Sequence, residues 1–322
     1  MNEIRIMRSF VAADTMAEII GDEYDIGPLQ SCKLFSKMLR TQDNDHYLVK
    51  TRAGEQMVIR VYQLGRHLER GRSDYEFELD WLRFLHQRGL PVSYPIPRRD
   101  GTSLGSIQAP EGERYYALFS FAKGKPMSLT DEEQLFQCGS EMARIHLVSN
   151  EFRTGHARKP MDLAFLVDSP VERMKRFWDS SQDYNLDLIL TSAAEAKEEI
   201  EALLQNEEHT EDGWGPIGGD FHSANTHFDE AGQLTFFNFD LCGPGWRAYD
   251  IAVFLLNTNL THSDTNMSEA FFAGYYSQRQ LSGNEHAAVA PFMTLRRVWL
   301  TATFTMNEGL AGHTFIAPAR PS

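Results

Sequence analysis

A dense group of polar residues lies between Gly218 and Asp250 in this chain of 322 residues. Asp220 and Asn225 stand five positions apart in a loop, and two short predicted strands follow as a hairpin that ends just before Asp240. These side chains can therefore project from one edge of the hairpin. Phosphoryl transfer needs such a set, because an aspartate orients the attacking hydroxyl while amide and carboxylate oxygens hold Mg²⁺ on the phosphates. The pattern predicts phosphoryl-transfer chemistry.

Other chemistries fit the polar residues less well. His222 and His227 are five positions apart across a loop, which is no recurrent metal-ligand spacing, so we expect structural roles for both. Ser223 beside His222 lacks the strand-turn-helix setting of a hydrolase nucleophile. His46 and His146 are expected in a loop and on a helix face, with core or surface roles.

The first part of the chain places one cation inside an apolar strand. Two β-rich runs, Tyr47–Thr51 and Met57–Tyr62, flank a turn and predict a hairpin, and Arg60 lies in the second run. A helix over 74–85 follows, with Glu78 as the carboxylate chosen to face Arg60. Such an ion pair can hold the α- and β-phosphates of a nucleotide, because it fixes the direction of the cation.

Glu76 is two positions from Glu78 and lies on roughly the opposite helix face, so only one of the two can point at Arg60. The alternative is an ordinary strand arginine with a solvated helix charge.

The remaining pattern predicts two lobes. A buried strand over Tyr115–Phe119 leads into a segment over 120–126 that is typical of a hinge. Beyond it the chain is largely helical, with helix start signals at Thr130, Ser169 and Ser192. We expect a small mixed lobe over residues 1–121 and a larger helical lobe over residues 122–322.

Composition limits the partners. The net charge of −14 repels nucleic-acid backbones and anionic lipids and favours cationic small molecules, although it also simply keeps a protein in solution. Cys32, Cys138 and Cys242 are far apart and odd in number, which predicts a reducing compartment. With no apolar run of membrane-spanning length and no leader pattern, we expect a cytoplasmic protein that binds neither nucleic acid nor membrane.

The chemistry-bearing segments resemble the family of aminoglycoside phosphotransferases and choline kinase-like enzymes. The family form His-Gly-Asp-x-His-x-x-Asn is matched at Gly219, Asp220, His222 and Asn225. The family's hydrophobic-Asp-x-Asp stretch corresponds to residues 236–240, where this chain has Asn238 and Asp240, and the run over 243–250 extends the match. The resemblance implies an α+β, bilobed protein-kinase-like fold that uses ATP and Mg²⁺.

The resemblance also implies a role for each matched position. It makes Asp220 the catalytic base in a loop over 218–225 that Asp250 braces and His222 supports, and Arg60 the phosphate contact paired to Glu78. Three positions would contact adenine, namely Ser120, Phe121 and Ala122, and three would bind the metal, namely Asn225, Asn238 and Asp240.

Two positions depart from the family pattern. Gly218 replaces a histidine that packs behind the loop, and its loss is expected to loosen the loop. Asn238 stands where the family has its principal metal-binding aspartate, and an amide offers one neutral oxygen in place of a carboxylate. Three interpretations of Asn238 stay open: a substitution made to trap a complex, an enzyme in which Asp240 takes over the metal, or a silent relative that only binds.

The residues of the segments over 236–240 and 243–250 are most similar to those of one branch of the family, which holds homoserine-kinase-like enzymes, bacterial stress-response kinases and antibiotic kinases such as amicoumacin kinase. An amine-bearing antibiotic is the first expected acceptor, and its phosphorylation would give resistance. A protein serine or threonine side chain is the second. Five acidic side chains are candidates to meet a substrate ammonium: Asp183, Asp187, Asp264, Glu269 and Glu308.

Overall fold

The computed structural model describes residues 9–35, 44–63, 70–178, 185–205, 212–261 and 266–305, and the chain divides into two compact units. One unit comprises Met1–Gln87, Val92–Lys123 and Thr154–Ala157, and the other comprises Arg88–Pro91, Gly124–Arg153 and Arg158–Ser322. The first contains an antiparallel sheet and the second is mostly helical, which confirms the predicted α+β class. The limits predicted for the two lobes stay predictions.

The first unit is built on one antiparallel sheet with the strand order β1-β2-β3-β5-β4 among the described residues. Its strands are β1 (Leu29–Leu34), β2 (Asp45–Thr51), β3 (Gln56–Val61), β4 (Gly105–Ala109) and β5 (Gly112–Ser120). Two helices accompany them, α1 (Ala13–Glu23) and α2 (Arg72–Gln87). The predicted hairpin over 47–62 is therefore confirmed as β2 and β3, and the predicted helix over 74–85 as α2. The loop expected at His46 is wrong, because β2 already begins at Asp45 and pairs His46 with Arg60.

Side chains on alternate faces of the strands explain how one face of this sheet packs against α1. Every second residue of β2 is buried, so Tyr47 and Val49 join a core that also holds Met16 and Ile20 of α1. The apolar stripe of α2 is buried as its spacing predicts, and Glu78 is fully buried beside it. A carboxylate at such a position needs a partner, because burial of an unpaired charge is costly.

The second unit contains six further α-helices and five short strands among the described residues. The helices are α3 (Glu132–Ser149), α4 (Ser169–Phe177), α5 (Leu186–Leu204), α6 (Arg247–Thr261), α7 (Asn266–Tyr276) and α8 (Gly283–Thr305), and a π-helical turn, Ala164–Asp168, precedes α4. The strands are β6 (Lys125–Pro126), β7 (Trp214–Ile217), β8 (Thr226–Phe228), β9 (Leu234–Phe236) and β10 (Gly243–Trp246). β6, β8 and β9 form one antiparallel sheet, and β7 pairs with β10. The hairpin predicted after Asn225 is confirmed as β8 and β9.

The structure supports the helix start predicted for α3 but not the one predicted for α5. α3 begins within one residue of the predicted start: Asp131 rather than Thr130 caps it, because the Asp131 side chain accepts hydrogen bonds from the backbone N–H groups of Glu133 and Gln134. The start predicted at Ser192 is wrong. α5 already begins at Leu186, where the Asn185 side chain caps the helix by accepting from the N–H of Leu188.

None of the helices in the described ranges combines the length and apolar character that crossing a bilayer requires.

Candidate active site

The loop over 218–222 is held from behind by one carboxylate. It runs from β7 to a 3₁₀ turn, Ser223–Asn225, and the backbone N–H groups of Gly218 and Gly219 donate to Asp250 Oδ2 and Oδ1 at 2.8 and 2.6 Å. Gly219 has a φ of +74°, and a Cβ there would lie 2.6 Å from Met161 Sδ. The backbone therefore follows a path that only glycine allows, and Asp250 fixes that path.

A buried chain of hydrogen bonds lies behind Asp250. His146 Nε2 is 3.1 Å from Asp250 Oδ2, and His146 Nδ1 is 2.8 Å from the Tyr275 hydroxyl. Arg279 donates to the same hydroxyl oxygen and also to Glu285. Since an arginine only donates, the Tyr275 hydroxyl donates to Nδ1, which leaves Nε2–H to donate to Asp250.

Burial determines the protonation states of Asp250 and His146 in this hydrogen-bonded network. It raises the pKa of Asp250 to about 7, although the two backbone N–H groups act in the opposite direction. It lowers the pKa of His146 well below the usual value, and the nearby arginines Arg247 and Arg279 act in the same direction. His146 is thus a neutral imidazole in the folded protein.

Asp220 lies in the middle of the loop and keeps 15% of its side-chain surface in solvent. Its Oδ1 accepts a hydrogen bond from Nη2 of Arg296, and its Oδ2 lies 3.2 Å from Asn225 Nδ2 and 3.4 Å from His222 Nε2. Burial is the largest single influence and raises the pKa of Asp220, but the charges of His222 and Arg296 outweigh it, so the pKa is lowered. The carboxylate is therefore ionised and able to accept a hydrogen bond from a hydroxyl.

The residues predicted to bind the metal lie together in the second unit. Asn225 is only 7% exposed, and its Oδ1 accepts from Asn238 Nδ2 at 3.3 Å. Asn238 has a φ of +65°, a left-handed conformation that asparagine and aspartate tolerate better than most residues. Asp240 is 6% exposed, and its backbone carbonyl accepts from Arg158 at 2.6 Å.

These donors fit a hard divalent cation. Carboxylate and amide oxygens suit Mg²⁺ and Ca²⁺. Within the described part of the chain, no three His, Cys, Asp or Glu side chains come together as a metal-binding group. Asp240 is the carboxylate of the set, and Asn238 contributes a neutral amide in place of a second one.

The space beside Gly218 is filled by an aromatic ring, which the sequence does not reveal. A Cβ at Gly218 would lie 2.4 Å from Cε2 of Phe221, and that ring packs edge-on against Phe236 and Phe239. The Phe221 ring therefore fills the space into which a side chain at 218 would project. Together with the Asp250 contacts, this packing argues against the loosening expected from the missing histidine.

In the first unit, Arg60 on β3 and Glu78 on α2 form a buried ion pair. Their Nη1 and Oε1 atoms are 2.6 Å apart, and both side chains are almost fully buried. Arg60 also lies over the Phe119 ring at 4.7 Å, which fixes its direction further. Glu76 instead contacts Arg72 and His156, so the face of α2 that the sequence assigns to Glu78 is the one that meets Arg60.

The segment predicted as a hinge begins at the end of β5. The Ser120 N–H donates to the Tyr94 carbonyl, and the Ser120 carbonyl accepts from the Ser93 hydroxyl. Both main-chain groups of Ser120 are thus engaged within the first unit. Phe121 and Ala122 follow the strand in non-regular backbone.

Two residues contact the site in a way that the sequence did not predict: Arg296 was not singled out, and His146 was expected on a helix face with only a core or surface role. His146 lies between apolar residues on α3, and Arg296 lies on the buried stripe of α8 with Phe292 and Trp299. A charged residue on such a stripe signals a buried partner, because an unpaired charge is costly there. The signal does not say which partner, since Asp220 is 76 residues away in the chain.

Comparisons with solved structures place this arrangement in a known fold. An amicoumacin kinase in complex with AMP-PNP, Ca²⁺ and Ami superimposes with a TM-score of 0.72 at 20% identity, over 91% of this chain and 86% of that one. A microcompartment-associated aminopropanol kinase gives a TM-score of 0.74 at 24% identity, over 94% and 92% of the two chains. The fold is protein-kinase-like, as predicted.

Sequence comparison points to the same group. The chain is 28% identical to a homoserine kinase of Rhizobium etli over 280 residues, which is 83% of this chain and 77% of the relative. Residues 38–292 match the family described as the phosphotransferase enzyme family, APH, which covers most of the chain and includes Arg60, Asp220 and Asp250. The chain belongs to this family of kinase-like phosphotransferases, as its catalytic-loop motif predicts.

Proposed function

We propose that this protein transfers the γ-phosphoryl group of ATP to a hydroxyl of a small amine-bearing molecule. The observation that carries the proposal is the position of Asp220. Its ionised carboxylate is partly exposed, in a loop held by Asp250, and lies 3.2 Å from Asn225. A carboxylate held in this way suits the orientation of an attacking hydroxyl.

In the proposed reaction, Asp220 accepts a hydrogen bond from the acceptor hydroxyl. The acceptor oxygen bonds to the γ-phosphorus while the bond from that phosphorus to the bridging oxygen of ADP breaks, and the hydroxyl proton leaves through Asp220. Asn225, Asn238 and Asp240 would hold the divalent ion, which when bound neutralises charge on the phosphates. ATP and a divalent ion are supported by the AMP-PNP and Ca²⁺ in the similar amicoumacin kinase.

The first unit supplies the nucleotide contacts in this proposal. Arg60 would bind phosphate oxygens, and its buried pair with Glu78 would hold the guanidinium in one direction. The main-chain groups of Ser120 are already engaged, so Phe121 is a better candidate than Ser120 to contact adenine, and Ala122 is the third residue of this segment that would lie against the base.

The acceptor class is supported by the names of the similar proteins. Homoserine and aminopropanol each carry a hydroxyl and an amine, and the third similar protein is an amicoumacin kinase. The net charge of −14 agrees with an acceptor that carries an ammonium group. Of the five acidic candidates to meet that ammonium, Asp187 and Glu269 are in the described ranges and the other three are outside them.

Within this class, we propose an amine-bearing antibiotic of the amicoumacin or aminoglycoside type, whose phosphorylation would confer resistance. The homoserine kinase relatives favour a second candidate, a small metabolic amino alcohol. The amide at Asn238 favours a third, a relative that binds nucleotide or drug without turnover, because it removes one negative charge from the metal site.

The test is Mg·ATP-dependent release of ADP by this chain and by Asn238→Asp in parallel. The acceptor panel pairs compounds that share an amine and a hydroxyl: amicoumacin and aminoglycosides, homoserine, and 1-amino-2-propanol. Acceptor-dependent release by either form supports a small-molecule kinase, and the responding compound names the acceptor class. Binding of nucleotide with no release from any acceptor in either form overturns the proposal in favour of a binding protein or a kinase of another protein.

A further inference from the structure

Arg296 is a cationic residue in a buried position, where its charge must be compensated by other groups. It is 6% exposed on α8, on the same buried stripe as Phe292 and Trp299. Moving a guanidinium from water into such a place costs several kcal/mol, unless a carboxylate and further contacts compensate. The carboxylate that compensates here is Asp220.

Three contacts fix the guanidinium. Nη2 donates to Asp220 Oδ1, and Nη1 lies 3.4 Å from the Tyr249 hydroxyl. The guanidinium also lies over the Trp299 ring at 4.8 Å, and that ring packs 6.2 Å from the ring of Phe165. Arg296 is therefore held on one side by aromatic rings and on the other by Asp220.

The two oxygens of Asp220 consequently face different groups. Oδ1 is bound by Arg296, whereas Oδ2 faces Asn225 and His222 at 3.2 and 3.4 Å. Asp250 holds the loop backbone at Gly218 and Gly219, which fixes the path of the backbone. Rotation of the Asp220 side chain about its χ angles needs a separate restraint. Arg296 supplies that restraint.

We propose that Arg296 is a positioning residue of the phosphotransfer reaction, which fixes the Asp220 carboxylate so that Oδ2 is presented to the acceptor hydroxyl. This inference rests on the proposed function. Arg296 acts through Asp220 and does not bind the acceptor or the nucleotide. Orientation matters here because the transition state of phosphoryl transfer is loose, so positioning supplies much of the rate.

The test is a double-mutant cycle on the form that turns over. It compares Arg296→Met, Asp220→Ala and the double variant by kcat, acceptor KM and ATP affinity. We expect Arg296→Met to lower kcat on the order of 100-fold, as a misplaced catalytic group does. Acceptor KM and ATP affinity should stay within about threefold, since both kinds of binding energy are retained. In the Asp220→Ala background, Arg296→Met should cause no further loss of kcat.

Two variants separate positioning from folding. Arg296→Lys keeps the charge and is expected to fold. One ammonium group cannot reproduce the guanidinium contacts to both Asp220 and Tyr249, so kcat should recover only in part from the loss in Arg296→Met. Arg296→Ala should regain activity when guanidinium ion is added at millimolar concentration, which a folding defect would not do. Arg114→Met is the control, because Arg114 forms an even more deeply buried pair with Asp45 in the first unit. It should lose stability and keep kcat.

The outcomes distinguish this inference from the function on which it rests. Absence of transfer by both this chain and Asn238→Asp overturns the proposed function and the positioning role with it. Transfer with an unchanged kcat in Arg296→Met overturns only the positioning role. A raised acceptor KM with an unchanged kcat also overturns it, in favour of direct acceptor binding, and so does a further loss of kcat in the Asp220→Ala background.

Discussion

The imidazole of His146 on α3 lies against the carboxylate of Asp250 on α6, with 3.1 Å between Nε2 and Oδ2. Both side chains are almost fully buried. Burial raises the pKa of Asp250 from 3.8 to about 7 and lowers the pKa of His146 well below 6.5. Between these values the folded pair is uncharged, with its proton on Asp250, whereas the unfolded pair is doubly charged, with its proton on His146.

The pair therefore predicts pH dependences that appear only when one partner is removed. In the wild type, over the pH range below 6.5 in which folded His146 stays neutral, the folded and unfolded pairs each bind one proton, so the pair adds no slope to the free energy of unfolding there. In His146→Phe the folded state alone keeps a proton, on Asp250. The free energy of unfolding should then fall by up to about 1.4 kcal/mol per pH unit as the pH rises from 4 towards 7. Urea denaturation at several pH values measures this slope.

The converse variant gives the opposite sign. In Asp250→Asn the unfolded state alone binds a proton, on His146, so the free energy of unfolding should fall as the pH drops below 6.5. Tyr275→Phe is the control, because it removes the hydroxyl bonded to Nδ1 and keeps both titrating groups. Slopes of the same sign in the two variants would contradict the assignment.

The Arg60–Glu78 pair predicts that nucleotide binding and stability can be separated. Arg60→Ala should weaken ATP binding at least about tenfold, a change of 1.4 kcal/mol, because a phosphate contact is lost. It should also destabilise the fold by about 3–5 kcal/mol, since the fully buried Glu78 loses its partner. Calorimetric titration with ATP and urea denaturation measure the two effects.

The double variant Arg60→Met/Glu78→Leu is the control for this prediction. It replaces both charges by apolar groups of similar size, which is often neutral for stability. We expect most of the stability to return while ATP affinity stays low. An ATP affinity that recovers with stability would mean that Arg60 only supports the fold, and unchanged affinity in Arg60→Ala would remove it from the site.

Local sequence signals limited the candidates for part of the site. Periodicity in α2 allowed only one of Glu76 and Glu78 to face Arg60 and left a solvated helix charge as the alternative; the resemblance to the family favoured the pair with Glu78, and the structure shows it. The five-residue spacing of Asp220 and Asn225 likewise brings their side chains within 3.2 Å, because both belong to one short loop.

Partners that are distant in the chain could not be predicted in this way. His146 and Asp250 are 104 residues apart, and their contact depends on how α3 and α6 pack. The Phe221 ring that fills the space beside Gly218 is equally invisible, since a glycine in a motif does not show what occupies the missing side chain's place. The start of α5 was predicted wrongly for another reason: the sequence at Ser192 resembles a helix start, but Asn185, about two turns earlier, already caps the helix.

The amide of Asn238 predicts a gain of metal affinity on one substitution. Asn238→Asp adds a carboxylate beside Asn225 and Asp240, and its φ of +65° suits aspartate as well as asparagine. The dissociation constant for Mg²⁺ in the presence of ADP should fall at least about tenfold, because the charged ligand replaces a neutral one. Titration of Mg²⁺ or Mn²⁺ by calorimetry measures it without turnover. Gln233→Glu adds the same charge at an exposed turn and should leave the constant unchanged.

The packing of Phe221 predicts that the missing histidine cannot simply be restored. A Cβ at Gly218 would lie 2.4 Å from the Phe221 ring, and the ring is only 3% exposed and held by Phe236 and Phe239. Gly218→Ala should therefore lower the free energy of unfolding by about 1–3 kcal/mol, as overpacking of a core does. Gly21→Ala is the control, because a Cβ at that α1 position meets no atom within 4 Å. It should be neutral or stabilising.

Gly218→His should lower both stability and kcat in the wild-type background, since the larger side chain displaces the ring and with it the loop that carries Asp220. In a Phe221→Ala background the space is open, so Gly218→His should raise stability above that of Phe221→Ala alone. Thermal denaturation of the four proteins measures the coupling. If Gly218→His stabilises the protein with Phe221 intact, the ring does not occupy the histidine's place, and the loop would be loosened by its loss after all.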